Sequence, residues 1–308
     1  MSLRKISTNV RNIIKLGSLR LGYRLGFALA PGLAAEQAAR LFLKPQRQAP
    51  TWLPEPQEHA PARNGPTAFR LLGPQGELFA WSWGSGPTVL VVHGWEDDHR
   101  GLTPLIDRLT WAGFRVVALD LPGHGKSAAA SGGLAPIPVL AEAVAAVARL
   151  VGPLEAIVAH SLGGTATMLA LSELGVDARR AVILASPNHP EHFARGVARL
   201  LGLGDNQFSR MRAAIERLAG RPLDALHLPP LLRRLNLPAL FLHDAGDRVV
   251  PLQHSRDNAA AWHGARLEVL HGLGHRRLLA DPQVLEQVVG FVADTTPQSR
   301  AMQAERAA

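Results

Sequence analysis

Three residues in this chain carry side chains that together could make and break an acyl bond: Ser161, Asp247 and His275, each placed just after a stretch that reads as a strand. A serine hydroxyl is a weak nucleophile until a base takes its proton, and an imidazole does this best when a carboxylate orients it and stabilises its protonated form. Ser161 separates the β-type run 154–160 from a stretch rich in Ala, Leu and Met at helical spacing, which predicts a strand-to-helix elbow. Such a turn lifts the hydroxyl clear of the sheet edge, and the helix that follows aims unpaired N–H groups and the positive end of its dipole at the same spot. Gly163, Gly164, Thr165 and Ala166 are small enough for that helix to start close against a neighbouring strand. A serine at such a junction also suits a plain helix cap, so the pentapeptide by itself leaves both readings open.

The other two residues follow other such stretches. His243-Asp-Ala-Gly-Asp247 comes after the run 239–243, and Gly272-Leu-Gly-His275 comes after 266–270, so serine, acid and histidine would sit at three strand ends in that order. Asp244, three residues before Asp247, is the competing acid. His93-Gly94-Trp95 follows the continuous apolar run 88–92, and an unusual backbone angle at Gly94 is expected to turn an N–H into the site. The backbone N–H groups of Trp95 and Leu162 are therefore the expected oxyanion donors, each worth roughly 2.7–4 kcal/mol to a developing negative charge. His160 points to the opposite side of its strand from Ser161 by the two-residue period, and is expected to be a hydrogen-bonded structural histidine.

No cofactor or metal is expected. His271 and His275, and likewise His189 and His192, have the spacing of ligand pairs on a helix, but no carboxylate–histidine set accompanies them. The run Asp120 to Ser127 is glycine-rich but lacks the spacing of a phosphate-binding loop. Zero cysteines exclude disulfides, thiolate metal sites and a cysteine nucleophile.

The elements that must position these residues alternate in type. Strands are predicted at 67–72 and 77–83 as a hairpin, then at 88–92, 114–119, 154–160, 181–185, 239–243 and 266–270; helices are predicted at 102–112, 138–150, 253–262 and 282–292. That alternation implies a mainly parallel sheet covered by helices on both faces, with ligands at the carboxyl ends of its strands. Residues 188–238 break the rhythm with helical patterning at 193–201, 208–218 and 231–235, and read as a helical cap inserted into a core of 67–187 and 239–294. Phe193, Val197, Phe208 and Met211 of the cap are candidates for holding an acyl chain. Residues 295–308 read as a polar tail.

Charge separates the N-terminus from the rest. The chain carries a net +8, and residues 1–50 alone hold nine Lys or Arg against Glu36, so residues 51–308 balance at 24 basic and 24 acidic. A neutral body, and a basic segment without interleaved aromatics, argue against a nucleic-acid partner. Residues 1–43 read as a basic amphipathic segment and 44–66 as a proline-rich linker. The apolar run 25–35 is about half the ~20 residues a membrane span requires, so the expected location is cytoplasmic, with peripheral contact at a membrane surface. A helix packed on the body and a targeting leader are the competing readings of this segment.

Five pieces now stand together: HGW at 93–95, DLPGHGKS at 120–127, AHSLGG at 159–164, DRVVP at 247–251 and GLGH at 272–275. With them the chain, over residues 67–293, resembles the α/β-hydrolase-fold serine hydrolases. The resemblance implies that fold with a cap insertion, Ser161 as nucleophile, His275 as base, and Asp247 as acid, because the D-x-x-V-P pattern falls on Asp247 and not on Asp244. Ala159 departs from the family's G-x-S-x-G at the first glycine. The implied activity is cofactor-independent hydrolysis of a small-molecule carboxylic ester through an acyl-enzyme. A thioesterase, another acyl hydrolase or a perhydrolase is the alternative among enzymes, and a catalytically silent hydrolase-fold binding protein is the alternative from another class.

Overall fold

The structure is a computed structural model and describes residues 3–46, 65–73, 75–129 and 131–294. Most of the proline-rich linker and the C-terminal tail therefore lie outside the described residues. Eight strands form one sheet: β1 (Thr67–Gly73), β2 (Gly76–Trp83), β3 (Thr88–Val92), β4 (Arg115–Leu119), β5 (Leu154–His160), β6 (Ala181–Leu184), β7 (Ala239–Asp244) and β8 (Ala265–Leu270). Eleven α-helices are described: α1 (Leu3–Leu29), α2 (Pro31–Leu43), α3 (Thr103–Trp111), α4 (Ile137–Val151), α5 (Ser161–Glu173), α6 (Glu191–Leu201), α7 (Asp205–Ala219), α8 (Leu228–Leu232), α9 (Leu252–Ala261), α10 (Gly274–Arg277) and α11 (Pro282–Ala293).

The sheet order is β1-β2-β4-β3-β5-β6-β7-β8. The β1–β2 and β2–β4 pairs are antiparallel, and every pair from β4 to β8 is parallel. β3, β6 and β7 are buried along their whole length, which matches the apolar stretches 89–92, 181–184 and 239–242, as strands covered on both faces require. The edge strands β1 and β8 alternate between partly buried and exposed. Val89, Val91, Val116, Ala118 and Val158 share one apolar cluster with Leu105 and Leu109 of α3 and Val284, Val288 and Phe291 of α11. Their neighbours Leu90, Val92, Val117, Leu119 and Ile157 are equally buried and point to the other face by the period of two, where α4 and α5 pack against β3.

Chain order fixes where the site opens. From β3 the chain steps to β4 on one side, and from β4 it crosses back over β3 to β5 on the other. The loops after β3 and β5 thus leave in opposite directions, which opens a crevice at the carboxyl ends of these two strands.

By contacts the chain divides into two compact units. A sheet unit comprises Pro45–Asn188 and His227–Ala308, and a helical unit comprises Met1–Lys44 with His189–Leu226. The sequence reading separated the N-terminal segment from the cap, whereas within the helical unit α2 packs along α7 and α1 meets α6. Two features of that packing are specific: the Arg20 Nε donates to the carbonyl of Leu200 at 3.0 Å, and Glu36 pairs with both Arg40 and Arg217. Phe208, Met211 and Ile215 are buried, as are Ala34, Ala35, Ala38 and Ala39 of α2, so these residues form the core of the helical unit. In the sheet unit the insertion leaves and returns at one point. The Leu228 N–H donates to the Asn188 carbonyl at 2.9 Å, and Asn188 is held on α9 by His254 and Asp257.

Candidate active site

Ser161 stands at the junction of β5 and α5 with φ of 51°, one of three non-glycine residues with positive φ among the described residues. A left-handed serine is strained, and the surroundings hold it there by close approach. A Cβ on Gly163 would lie 2.1 Å from the His93 carbonyl oxygen, and one on Gly164 would lie 1.9 Å from the Ser186 Oγ. Helix α5 can start this close to the ends of β3 and β6 only with glycine at both positions. Ala159 is buried between Val92 of β3 and Ile183 of β6, where its methyl group is accommodated inside the sheet.

The Ser161 Oγ is 3.0 Å from His275 Nε2, and His275 Nδ1 is 2.7 Å from Asp247 Oδ2. A carboxylate only accepts, so Nδ1 carries the proton and Nε2 is the lone pair that receives the serine hydroxyl. The other oxygen of Asp247 accepts the N–H groups of Val249 at 2.7 Å and Val250 at 3.0 Å. Burial raises the Asp247 pKa, but hydrogen bonds from His243, His275 and Val250 outweigh it and hold the group far below the usual carboxylate range. The three sequence-predicted side chains are thus brought together in one hydrogen-bonded row, with Ser161 and Asp247 buried.

Asp244 is occupied elsewhere. Its Oδ1 accepts the Gly246 N–H and its Oδ2 accepts the Leu273 N–H, each at 2.8 Å, so it ties the Asp247 loop to the loop that carries His275. Burial opposes its ionisation, and the N–H groups of Leu273, Gly246 and Gly274 prevail and lower its pKa.

The expectation for Gly94 is corrected. Gly94 is not among the positive-φ residues; the left-handed residue of that loop is Glu96, with φ of 55°. Glycine is needed at 94 for space, because a Cβ there would lie 3.1 Å from both the Ser161 Cβ and the His160 Nδ1. The backbone leading into Trp95 therefore passes directly against the nucleophile. The Leu162 N–H belongs to the first turn of α5, where no intrahelical acceptor exists. His93 holds the loop in place: its Nδ1 donates to the Gly94 carbonyl at 2.7 Å and its Nε2 accepts the Leu121 N–H at 2.9 Å.

His160 reaches into the loop of the base, and its Nδ1 borders Gly94 together with the Ser161 Cβ. Its Nε2 donates to the His275 carbonyl at 2.9 Å, and the two rings lie 4.8 Å apart. Its buried Nδ1 has no partner, so the expected full satisfaction is absent. Burial, together with His275, holds its pKa well below the ordinary histidine value. Sequence reasoning also missed His243, which is fully buried, with Nε2 2.9 Å from the Val250 carbonyl and 3.5 Å from Asp247 Oδ2. Its only signal was a histidine at the end of a buried strand beside the acid.

The glycine-rich run after β4 closes on itself. Asp120 accepts the N–H groups of His99 and Lys126 as well as His99 Nδ1, and the Ser127 hydroxyl donates to the Asp120 carbonyl. Asp98, His99 and Asp120 form a described group with metal-donor geometry. Its carboxylates already hold Arg100, His99 and backbone N–H groups.

Residues 89–288 match the model of the alpha/beta hydrolase family. The chain belongs to that family. A non-heme haloperoxidase of Rhodococcus erythropolis is 27% identical, covering 65% of this chain and 89% of its own. A pimeloyl-[acyl-carrier protein] methyl ester esterase of Xanthomonas oryzae pv. oryzae is 28% identical, covering 68% of this chain and 96% of its own. The structure of a Pyrococcus furiosus esterase superposes with a TM-score of 0.62 at 17% identity, over 81% of this chain and 96% of that one, a likeness of fold. Among relatives of this alpha/beta hydrolase, esterase-like and haloperoxidase names thus stand side by side.

Proposed function

We propose that this alpha/beta hydrolase cleaves carboxylic esters through an acyl-enzyme on Ser161. The observation that carries the reading is the row Ser161 Oγ, His275 Nε2, His275 Nδ1, Asp247 Oδ2, with links of 3.0 and 2.7 Å, starting from a serine in a strained elbow. In this reaction the Ser161 oxygen attacks the acyl carbon while His275 Nε2 takes its proton, and Asp247 stabilises the resulting imidazolium. The backbone N–H groups of Trp95 and Leu162 receive the negative charge that develops on the acyl oxygen. The imidazolium gives its proton to the departing alkoxide. Water, deprotonated by the same nitrogen, then attacks the acyl-enzyme, and the acid product leaves with Ser161 restored. The methyl ester esterase among the relatives supports an ester substrate.

A fluorophosphonate probe tests the reading directly. It should label the folded protein and not its Ser161→Ala variant; an unlabelled wild type would point to a silent binding protein. A series of p-nitrophenyl esters beside the matching acyl thioesters then identifies the leaving group. The haloperoxidase among the relatives favours a second reading, in which hydrogen peroxide replaces water in the second half-reaction and releases a peracid. Adding peroxide to an ester assay and measuring peracid separates the two.

The insertion leaves and re-enters the sheet unit at Asn188 and Leu228, just after β6, the strand that neighbours β5. Phe208 and Met211 are core residues of the helical unit, whereas Phe193 and Val197 on α6 are partly open.

A further inference from the structure

The corner between α1 and α2 is apolar on both its inner and its outer side. Residues 25–35 read LGFALAPGLAA, without one polar side chain. The inner side is conventional: Phe27, Ala34 and Ala35 are buried, and a Cβ on Gly26 would lie 3.3 Å from that of Ala34, so the helices fold back closely on each other. The outer side carries Leu21 at 57% exposure, Leu25 at 53%, Leu29 at 84% and Leu33 at 64%. The leucines of α1 recur every fourth residue and share one helix face, and Leu33, in the first turn of α2, is exposed as well. An exposed apolar ridge of this size on a folded chain marks a surface made to be covered.

Charge indicates what covers it. Arg20 and Arg24 precede the corner, and Arg40 and Lys44 follow it. The helical unit as a whole holds 14 Lys or Arg against 5 acids, a net +9, while the rest of the chain sums to −1. Two copies meeting through this corner would bring two such units together against their mutual repulsion. A nucleic-acid backbone would take the arginines and leave the leucines in water. An anionic lipid surface satisfies both, with headgroup phosphates for the cations and an acyl boundary for the leucines. Among the described residues no helix is long and apolar enough to cross a membrane, which matches a unit that lies on the surface.

We propose that the α1–α2 corner docks on anionic lipid bilayers, with Leu21, Leu25, Leu29 and Leu33 entering the interface, Arg24 meeting the headgroups and the net positive charge of the helical unit adding attraction. The full chain should co-sediment at low salt with vesicles of phosphatidylcholine and phosphatidylglycerol, bind pure phosphatidylcholine far less, and dissociate as salt is raised. The L29E/L33E variant should lose partitioning at least tenfold, by order of magnitude, and Arg24→Ala about fivefold. Both replaced leucines are exposed, so the thermal transition should stay where it is. The chain has no cysteine, so Leu29→Cys carries a polarity-sensitive dye at one position only, whose emission should shift to the blue with anionic vesicles alone. Equal binding by the wild type and L29E/L33E, equal partitioning into neutral and anionic vesicles, or an unshifted dye on bound protein overturns the proposal. A wild type that ignores vesicles but sediments as a dimer split by L29E/L33E assigns the ridge to a second copy instead.

Discussion

The two units of this molecule treat polar and apolar groups in opposite ways. The sheet unit buries three carboxylates at its strand ends: the side chains of Asp120, Asp244 and Asp247 are sealed there, each held by several donors. The helical unit keeps its ion pairs near the surface, where Arg212 meets Glu191, Glu216 and Asp224, and leaves a ridge of leucines in solvent. A buried carboxylate survives only in one geometry, because every lost partner costs a full desolvation penalty. Exposed leucines demand no internal geometry. The contrast teaches that precision is concentrated at the carboxyl ends of β3, β5 and β7, and that the helical unit is free to meet other surfaces.

The sharpest way to break the comparison is at the reacting atoms. Ser161→Ala and His275→Ala should each lower kcat/KM on a small soluble ester by roughly three orders of magnitude or more, with circular dichroism unchanged. L29E/L33E should leave that rate untouched. A Ser161→Ala protein that kept a tenth of the activity would move the nucleophile elsewhere.

Next come the two acids. Asp247→Asn should lower kcat by about 10³–10⁴, since an amide cannot hold the same imidazole tautomer or stabilise its cation. Asp244→Asn, which only weakens the tie to Leu273 and Gly246, should cost on the order of tenfold and lower the melting temperature. Equal losses in kcat would mean that the loop tie and the charge beside His275 are one function.

Stability gives a third test. Phe208→Ala should destabilise the helical unit by about 3–5 kcal/mol, while Phe193→Ala, being only partly buried, should cost far less. Equal losses from the two would mean that Phe193 is as much a part of that core as Phe208.

The smallest effect is one of pH. His160 is buried and neutral, with its folded pKa well below the ordinary ~6.5, so the unfolded chain binds the extra proton as pH falls below that value. Its contribution is therefore complete above about pH 7 and is lost progressively on acidification toward the folded pKa. Urea midpoints near pH 7.5 and 5.5 should fall more for the wild type than for His160→Asn. Asp247 acts lower on the scale: its depressed pKa stabilises the fold above the ordinary ~3.9, and that contribution fades as pH drops toward the folded value. Asp247→Asn should flatten the wild-type loss below about pH 4.

Much of this was legible in the amino-acid sequence. The apolar runs at 88–92, 154–160 and 239–243 mark buried parallel strands to within a residue, because a strand covered on both faces admits almost no polar side chain. Ser161 and Asp247 follow such runs and His275 follows the alternating edge strand β8, so their placement at one edge came with the strands. Gly163 and Gly164 announced a close approach, and the structure names what they approach, His93 and Ser186. What only the tertiary structure decided rests on contacts between residues far apart in the chain. The sheet order, the separate hydrogen-bond partners of Asp244 and Asp247, and the partner of His160 depend on which loop packs beside which. Periodicity says which face a side chain takes and is silent on what covers that face. The same limit hid the pairing of α2 with α7 and the exposed corner at Leu29, since an apolar run reads alike whether it lines a core or faces solvent.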